Sequence, residues 1–123
     1  MSKSIIKEKS FAFAVRIVNL FKFLKAKKKE SVLGMQIPRS GTSIGANVRE
    51  AMQAESKADF IHKLHIALKE TAETGYRLEL LLAGEFITKN QFDSLNRDCE
   101  ELLKILTAII KTTKSKKLST LNS

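Results

Sequence analysis

The chain has 123 residues, 43% of them hydrophobic, with a formal charge of +9 and one cysteine. That length gives a single domain with a real core and no room for a second. Cys99 has no partner for an internal disulfide, which predicts a reducing cytoplasm; no apolar run approaches the ~20 residues of a membrane span, and the start MSKSIIKEKS lacks a signal-peptide core.

The periodicity is helical nearly throughout, and nothing alternates as a strand would. Helix one runs from about Ile5 or Ser10 to Lys29, with Phe13, Ile17, Leu20 and Leu24 on one apolar stripe and Phe11, Val15 (or Ala14), Val18 and Phe21 beside it. Two adjoining stripes are wider than one bundle core requires, so the surplus predicts a second contact, with another subunit. Ser31 is placed to cap helix two, which extends through Pro38 to about Ala54. Ser56 with Asp59 has capping-box spacing and opens helix three, whose inner face carries Ile61, Leu64, Leu68, Gly75, Leu78 and Leu82. Gly84 ends it. Thr88 with Gln91 is a second capping box, and the helix it opens steps by three and four through Phe92, Leu95, Cys99, Leu102, Leu106 and Ile109. That is a bundle seam.

Helices of this length on short connections predict an all-α, up-down-up-down antiparallel four-helix bundle over residues 1–113. Residues 114–123 are polar and lysine-rich, and are expected to fray or disorder.

Helix two holds Gly41 and Gly45 within MQIPRSGTSIGANVREAMQA. Each interior glycine costs a helix ~1 kcal/mol relative to alanine. Their four-residue spacing stacks them one turn apart, so both are expected at a close helix crossing.

With a turn centred near Glu55, residues of helices two and three whose numbers sum to about 111 lie level. Arg39 then faces Glu70 and Glu73, and Asn47 faces Leu64 and His65. The preferred reading is a structural polar network of Arg39, Asn47, Glu50, Glu70 and Glu73 that fixes helix register; the alternative places Arg39 at a phosphate.

Glu70 and Glu73 invite a di-iron reading, but neither histidine follows a glutamate by three, as such bundle sites require. Asp59, His62 and His65 share a helical neighbourhood without a fourth ligand for zinc. SGTSIGAN lacks the lysine of a phosphate loop and sits inside a helix. Cys99 occupies a seam position, where a thiol is inert packing. Neither a metal, a cofactor nor catalysis is expected.

The charge is uneven: residues 1–30 carry a net +7, residues 111–123 a net +4, and residues 31–110 a net −2. In an up-down bundle both chain ends share a pole, which gathers Lys3, Lys7, Lys9, Lys111, Lys114, Lys116 and Lys117. Lys25, Lys27, Lys28 and Lys29 lie at the other pole. Such clusters serve either as solvated ends that aid solubility or as contacts to RNA or DNA phosphates. Few exposed aromatics and no recognition motif argue against base reading.

Two blocks carry a family resemblance. The first is Gln36, Arg39, Ser40, Ser43, Ile44, Gly45, Asn47, Glu50 and Ala51; the second is Ser56, Asp59, Phe60, Lys63, Leu64, Ala67, Leu68, Glu70, Glu73 and Tyr76. Together they make the chain resemble, from about Phe11 to about Ile110, the bacterial four-helix-bundle proteins encoded by intervening sequences of 23S rRNA genes. The resemblance implies a homopentameric ring, and a likeness to accessory variability proteins of diversity-generating retroelements, which bind nucleic acid and a reverse transcriptase. The combined expectation is a non-enzymatic oligomer that binds RNA or DNA through its lysines. The alternative is a structural or adaptor protein with a protein partner and incidental charge.

Overall fold

In the computed structural model, residues 2–27 and 32–122 are described, with side chains described for residues 5–27 and 36–116. Four helices follow in order: α1 (Ser2–Ala26), α2 (Val32–Met52), α3 (Lys57–Ala83) and α4 (Lys89–Asn122), with no strand among the described residues. The expected Ser31 cap lies outside them. α1 packs on α2 and α4, and α3 packs on α2 and α4, and among the described residues the backbones of the diagonal pairs make no close approach. Interface contacts fall in opposing order in three of these four pairs: Ile17 with Gly41 and Ser10 with Gly45, Lys9 with Glu101 and Arg16 with Asp98, Ser40 with Thr74 and Glu50 with Lys63.

The core follows the apolar stripes. Phe13, Ile17, Leu20 and Leu24 are buried from α1, and Leu95, Cys99, Leu102, Leu106 and Ile109 from α4. At ~25 cal/mol per Å² of apolar surface removed from water, such stripes supply the main driving force for a bundle.

α3 departs from expectation. Its buried line is Leu64, Ala67, Thr71, Thr74, Leu78 and Leu81, whereas Ile61, Leu68 and Leu82 are only partly buried. Two threonines occupy the centre because each hydroxyl finds an acceptor one turn back: Thr71 donates to the Ala67 carbonyl at 2.7 Å, and Thr74 lies 2.8 Å from the Glu70 carbonyl. Every buried side-chain nitrogen or oxygen among the described residues has a partner.

Helix ends follow their caps. Ser56, extended at φ −146° and ψ 161°, accepts from the Asp59 amide. Thr88 and Gln91 satisfy each other's amides at 2.8 and 3.1 Å, a complete capping box. α3 closes where Gly84 was expected to close it, but the left-handed residue is Glu85, at φ 63°. The Phe86 amide reaches the Leu81 carbonyl and the Glu85 amide the Leu82 carbonyl, the paired bonds of a Schellman motif. A Cβ at Gly84 would meet the Phe86 ring at 3.1 Å, so the ring would have to give by a few tenths of an ångström.

Pro38 sits inside α2 without interrupting it. α4 is helical as far as Asn122.

Candidate nucleic-acid interface

The lysines of the chain-end pole do not form one equivalent set. Lys7, Lys111 and Lys114 are exposed and have no ion-pair partner among the described residues. Lys9 is placed differently: its Nζ is 3.1 Å from Glu101 Oε1, an exposed pair that ties α1 to α4. Lys9 is therefore already neutralised locally, a partner invisible in the sequence because it depends on how α1 and α4 align. The side chains of Lys3 and Lys117 fall outside those described, as do Lys28 and Lys29 at the other pole.

Lys111 and Lys114 rim a groove of about 270 Å³ between α3 and α4, with His65, Leu68, Thr107 and Ile110. Steps of three and four bring Lys104, Thr107, Lys111 and Lys114 onto one exposed stripe of α4. Lys104 belongs to this stripe, although its place in an otherwise acidic middle segment hides it from a count of charge by segment. Lys116 lines a second depression at the α2–α3 turn, with Glu55, Lys57, Phe60 and Thr113. Helix geometry thus gathers cations at the end of α4, over apolar floors made by Leu68, Ile110 and Phe60.

The expected polar network is rearranged. Arg39 is exposed and makes no ion pair among the described residues, so the bridge to Glu70 and Glu73 does not form. Glu73 instead lies 3.8 Å from Arg77 on its own helix. Asn47 turns back on α2, donating to the Ser43 carbonyl at 2.9 Å and lying 3.2 Å from its hydroxyl, and does not reach His65. Glu50 does cross to α3: Lys63 Nζ sits at 2.9 Å, and this hydrogen bond, with the carboxylate's charge, raises the lysine pKa above its ordinary value.

The cause is register. Glu50 with Lys63 and Ser40 with Thr74 place level residues at sums of 113–114, two to three beyond the symmetric turn assumed from sequence. The shift opposes Arg39 to Thr74 and Gly75 in place of the carboxylates. The contact that takes over is buried: Ser40 Oγ and Thr74 Oγ1 are 3.0 Å apart, with Ser40 also donating to the Ile37 carbonyl at 3.3 Å.

The two glycines also differ. A Cβ on Gly41 would lie 2.8 Å from both Ile17 Cγ atoms, whereas on Gly45 it would meet Ser10 at 3.6 Å, ordinary contact. Only Gly41 is at a crossing that excludes a methyl group. Cys99 is buried, and its Sγ is 3.3 Å from the Thr71 carbonyl. Burial, with Glu100 and Asp98 nearby, pushes its thiol up to about 11, so it stays protonated at neutral pH.

Among the described residues no cluster of His, Cys, Asp and Glu could hold a metal ion, and no helix is long and apolar enough to cross a membrane. The surface does keep one large apolar feature: Phe11, Val15 and Val18 are 54%, 44% and 40% exposed. Of the second stripe of helix one these three are exposed, with the Arg49 guanidinium 5.4 Å from the Phe11 ring, while Phe21 is half-buried.

Fold and surface together define an all-helical four-helix protein with exposed lysines at both ends and exposed apolar side chains on its first helix. Residues 2–108 match the model of the 23S rRNA-intervening sequence protein family, and the chain belongs to that family. A crystal structure at 1.70 Å of a protein of unknown function from the S23 ribosomal protein family of Bacteroides thetaiotaomicron VPI-5482 is similar at 59% identity and a TM-score of 0.88, covering 90% of this chain and 99% of that one. Among curated proteins nothing matches.

Proposed function

We propose that this protein is a non-enzymatic, up-down-up-down antiparallel bundle that self-associates and binds RNA or DNA phosphates through the lysines at the end of α4. The observation that carries the reading is the exposed α4 stripe, in which Lys111 and Lys114 rim a groove and have no acidic partner among the described residues. Cations left unpaired on one stripe are available to displace counterions from a nucleic acid, which gives sequence-independent affinity. Lys7 adds to the same pole, and Lys9, held by Glu101, contributes less. Self-association is supported by the exposed Phe11, Val15 and Val18, since contiguous apolar surface of this kind marks interaction sites. A homopentameric ring and a likeness to retroelement accessory proteins are what the family resemblance implies. We place the protein in the cytoplasm on the same reading.

The test is binding to unrelated RNA and duplex DNA as a function of salt. Affinity should fall steeply, and each lysine lost should reduce the log-log slope by ~0.7 to 0.9. Changing Lys111, Lys114, Lys116 and Lys117 together to glutamine should weaken binding to every sequence while circular dichroism stays unchanged. Equal weakening from Lys25, Lys27, Lys28 and Lys29 changed in the same way would indicate diffuse charge without a site. Absence of binding by the wild type at low salt would leave the alternative, an adaptor with a protein partner.

A further inference from the structure

Three aromatic rings that reach the surface each carry a cation: Arg49 stands 5.4 Å from the Phe11 ring, Lys27 5.9 Å from Phe23 and Lys89 5.5 Å from Phe92. Tyr76 differs. It is 62% exposed, and neither its ring nor its hydroxyl has a polar or cationic partner among the described residues. The ring borders a depression of about 400 Å³ between α3 and α4, where Ala72, Gly75 and Leu103 supply apolar lining. An unshared aromatic face beside apolar lining suits a second planar ring, since stacking takes both out of water.

The charges around that face select what kind of ring it meets. Glu79, Glu100 and Lys104 line the same depression, with Asn96 donating to Glu100 Oε1 at 3.0 Å. Neither acid nor Lys104 makes an ion pair among the described residues. Farther along, the groove of His65, Leu68 and Ile110 has Lys111 and Lys114 on its rim. Cys99 is level with Thr71 and Gly75, so Tyr76 falls level with Asn96. Lys104, Lys111 and Lys114 then follow at about 12, 22 and 27 Å along α4, a length that takes roughly four to eight nucleotides of one strand. Phosphates are drawn to the lysine end and repelled by Glu79 and Glu100. A neutral nucleobase is not repelled there, and its N–H groups have carboxylates to accept them.

We infer that the α3–α4 groove takes a single strand of RNA or DNA, with phosphates on Lys104, Lys111 and Lys114 and an unstacked base lying on the Tyr76 ring beside the Asn96–Glu100 pair. This rests on the phosphate binding proposed above and names the form of nucleic acid that the site prefers. A duplex keeps its bases stacked on one another and presents no free face, so it meets the lysines alone. Every base has a face to stack, so the preference is for strandedness and not for sequence.

Tyr76 is the only tyrosine of a chain without tryptophan, so intrinsic fluorescence reports on this ring alone. The full chain is titrated at low salt with short unstructured single strands of RNA and of DNA, a duplex of the same sequence, and a single strand of the same length without bases. Both base-bearing single strands should quench the tyrosine, and quenching by only one identifies the sugar that the groove accepts; the duplex and the baseless strand should bind without quenching. Tyr76→Ala, checked for folding by circular dichroism, should weaken single-strand binding at least fivefold and leave duplex binding unchanged. Tyr76→Phe keeps the ring and should keep the affinity. Lys104→Gln should lower the log-log salt slope for single strands by ~0.7 with quenching intact. Single-strand binding without quenching, or equal weakening of single strand and duplex by Tyr76→Ala, would overturn base stacking, leave phosphate binding standing and give Tyr76 to a protein partner. No binding of any of these nucleic acids would overturn the phosphate reading itself.

Discussion

Between α1 and α2, close approach comes from a missing side chain, whereas the contacts of α3 with its neighbours are made by hydroxyls, and by a thiol from α4, that bring their own partners. At the first contact Ile17 occupies the space a Gly41 side chain would need. At the second, Thr74 reaches Ser40 on one side, and Cys99 reaches the Thr71 carbonyl on the other. Ile17 is β-branched and stiff in a helix, so the first contact tolerates almost no added volume. Threonine and cysteine are close in shape to apolar residues, so the second tolerates exchange of polarity at constant volume.

Four measurements sharpen or break that contrast. The largest effect is expected for Gly41→Leu, which should cost ~3 kcal/mol by overpacking against Ile17; chemical denaturation that showed no loss would place the crossing elsewhere. Next is the pH dependence contributed by Cys99. Its folded pKa of about 11 stands above the ordinary thiol value of 9.0, so the folded state holds the proton more tightly. The stabilisation is fully present below pH 9 and is lost as pH rises toward 11, on the order of 2 kcal/mol in all. Cys99→Ala should lower stability below pH 9 and flatten this slope, and a slope equal to that of the wild type would assign it to other groups. Thr74→Val should cost ~1 kcal/mol, the net value of a typical hydrogen bond, because Ser40 keeps the Ile37 carbonyl. Gly45→Ala, with ordinary contact to Ser10, should raise stability by ~0.5 to 1 kcal/mol through helix propensity. A loss there would make both glycines packing residues.

The contrast also explains what sequence could and could not reveal. α4 and the inner stripe of α1 were readable because Leu, Ile and Phe recur at steps of three and four and are buried accordingly. The Thr88–Gln91 box was readable because capping is local. The centre of α3 was not, since Thr71 and Thr74 register as polar until their hydroxyls are seen bonded to carbonyls one turn back. The position of Arg39 opposite Glu70 and Glu73 failed through a register error of two to three residues, introduced where extended Ser56 makes the α2–α3 turn asymmetric. In the candidate site, Lys111 and Lys114 were found by counting charge, which is additive along a chain. The pairing of Lys9 with Glu101 was missed because it joins residues 92 positions apart.

The lone cysteine has a practical consequence. A thiol that is 1% exposed and protonated at neutral pH reacts with a soluble alkylating reagent only when the helices around it separate. Its modification rate under native conditions, divided by the rate in denaturant, therefore reads the equilibrium for opening α3 from α4, in the manner of amide exchange but at one site. Because no second cysteine competes, mass spectrometry of the intact chain suffices, and the same reading with and without nucleic acid or at different protein concentrations would report whether either form of association holds that seam shut.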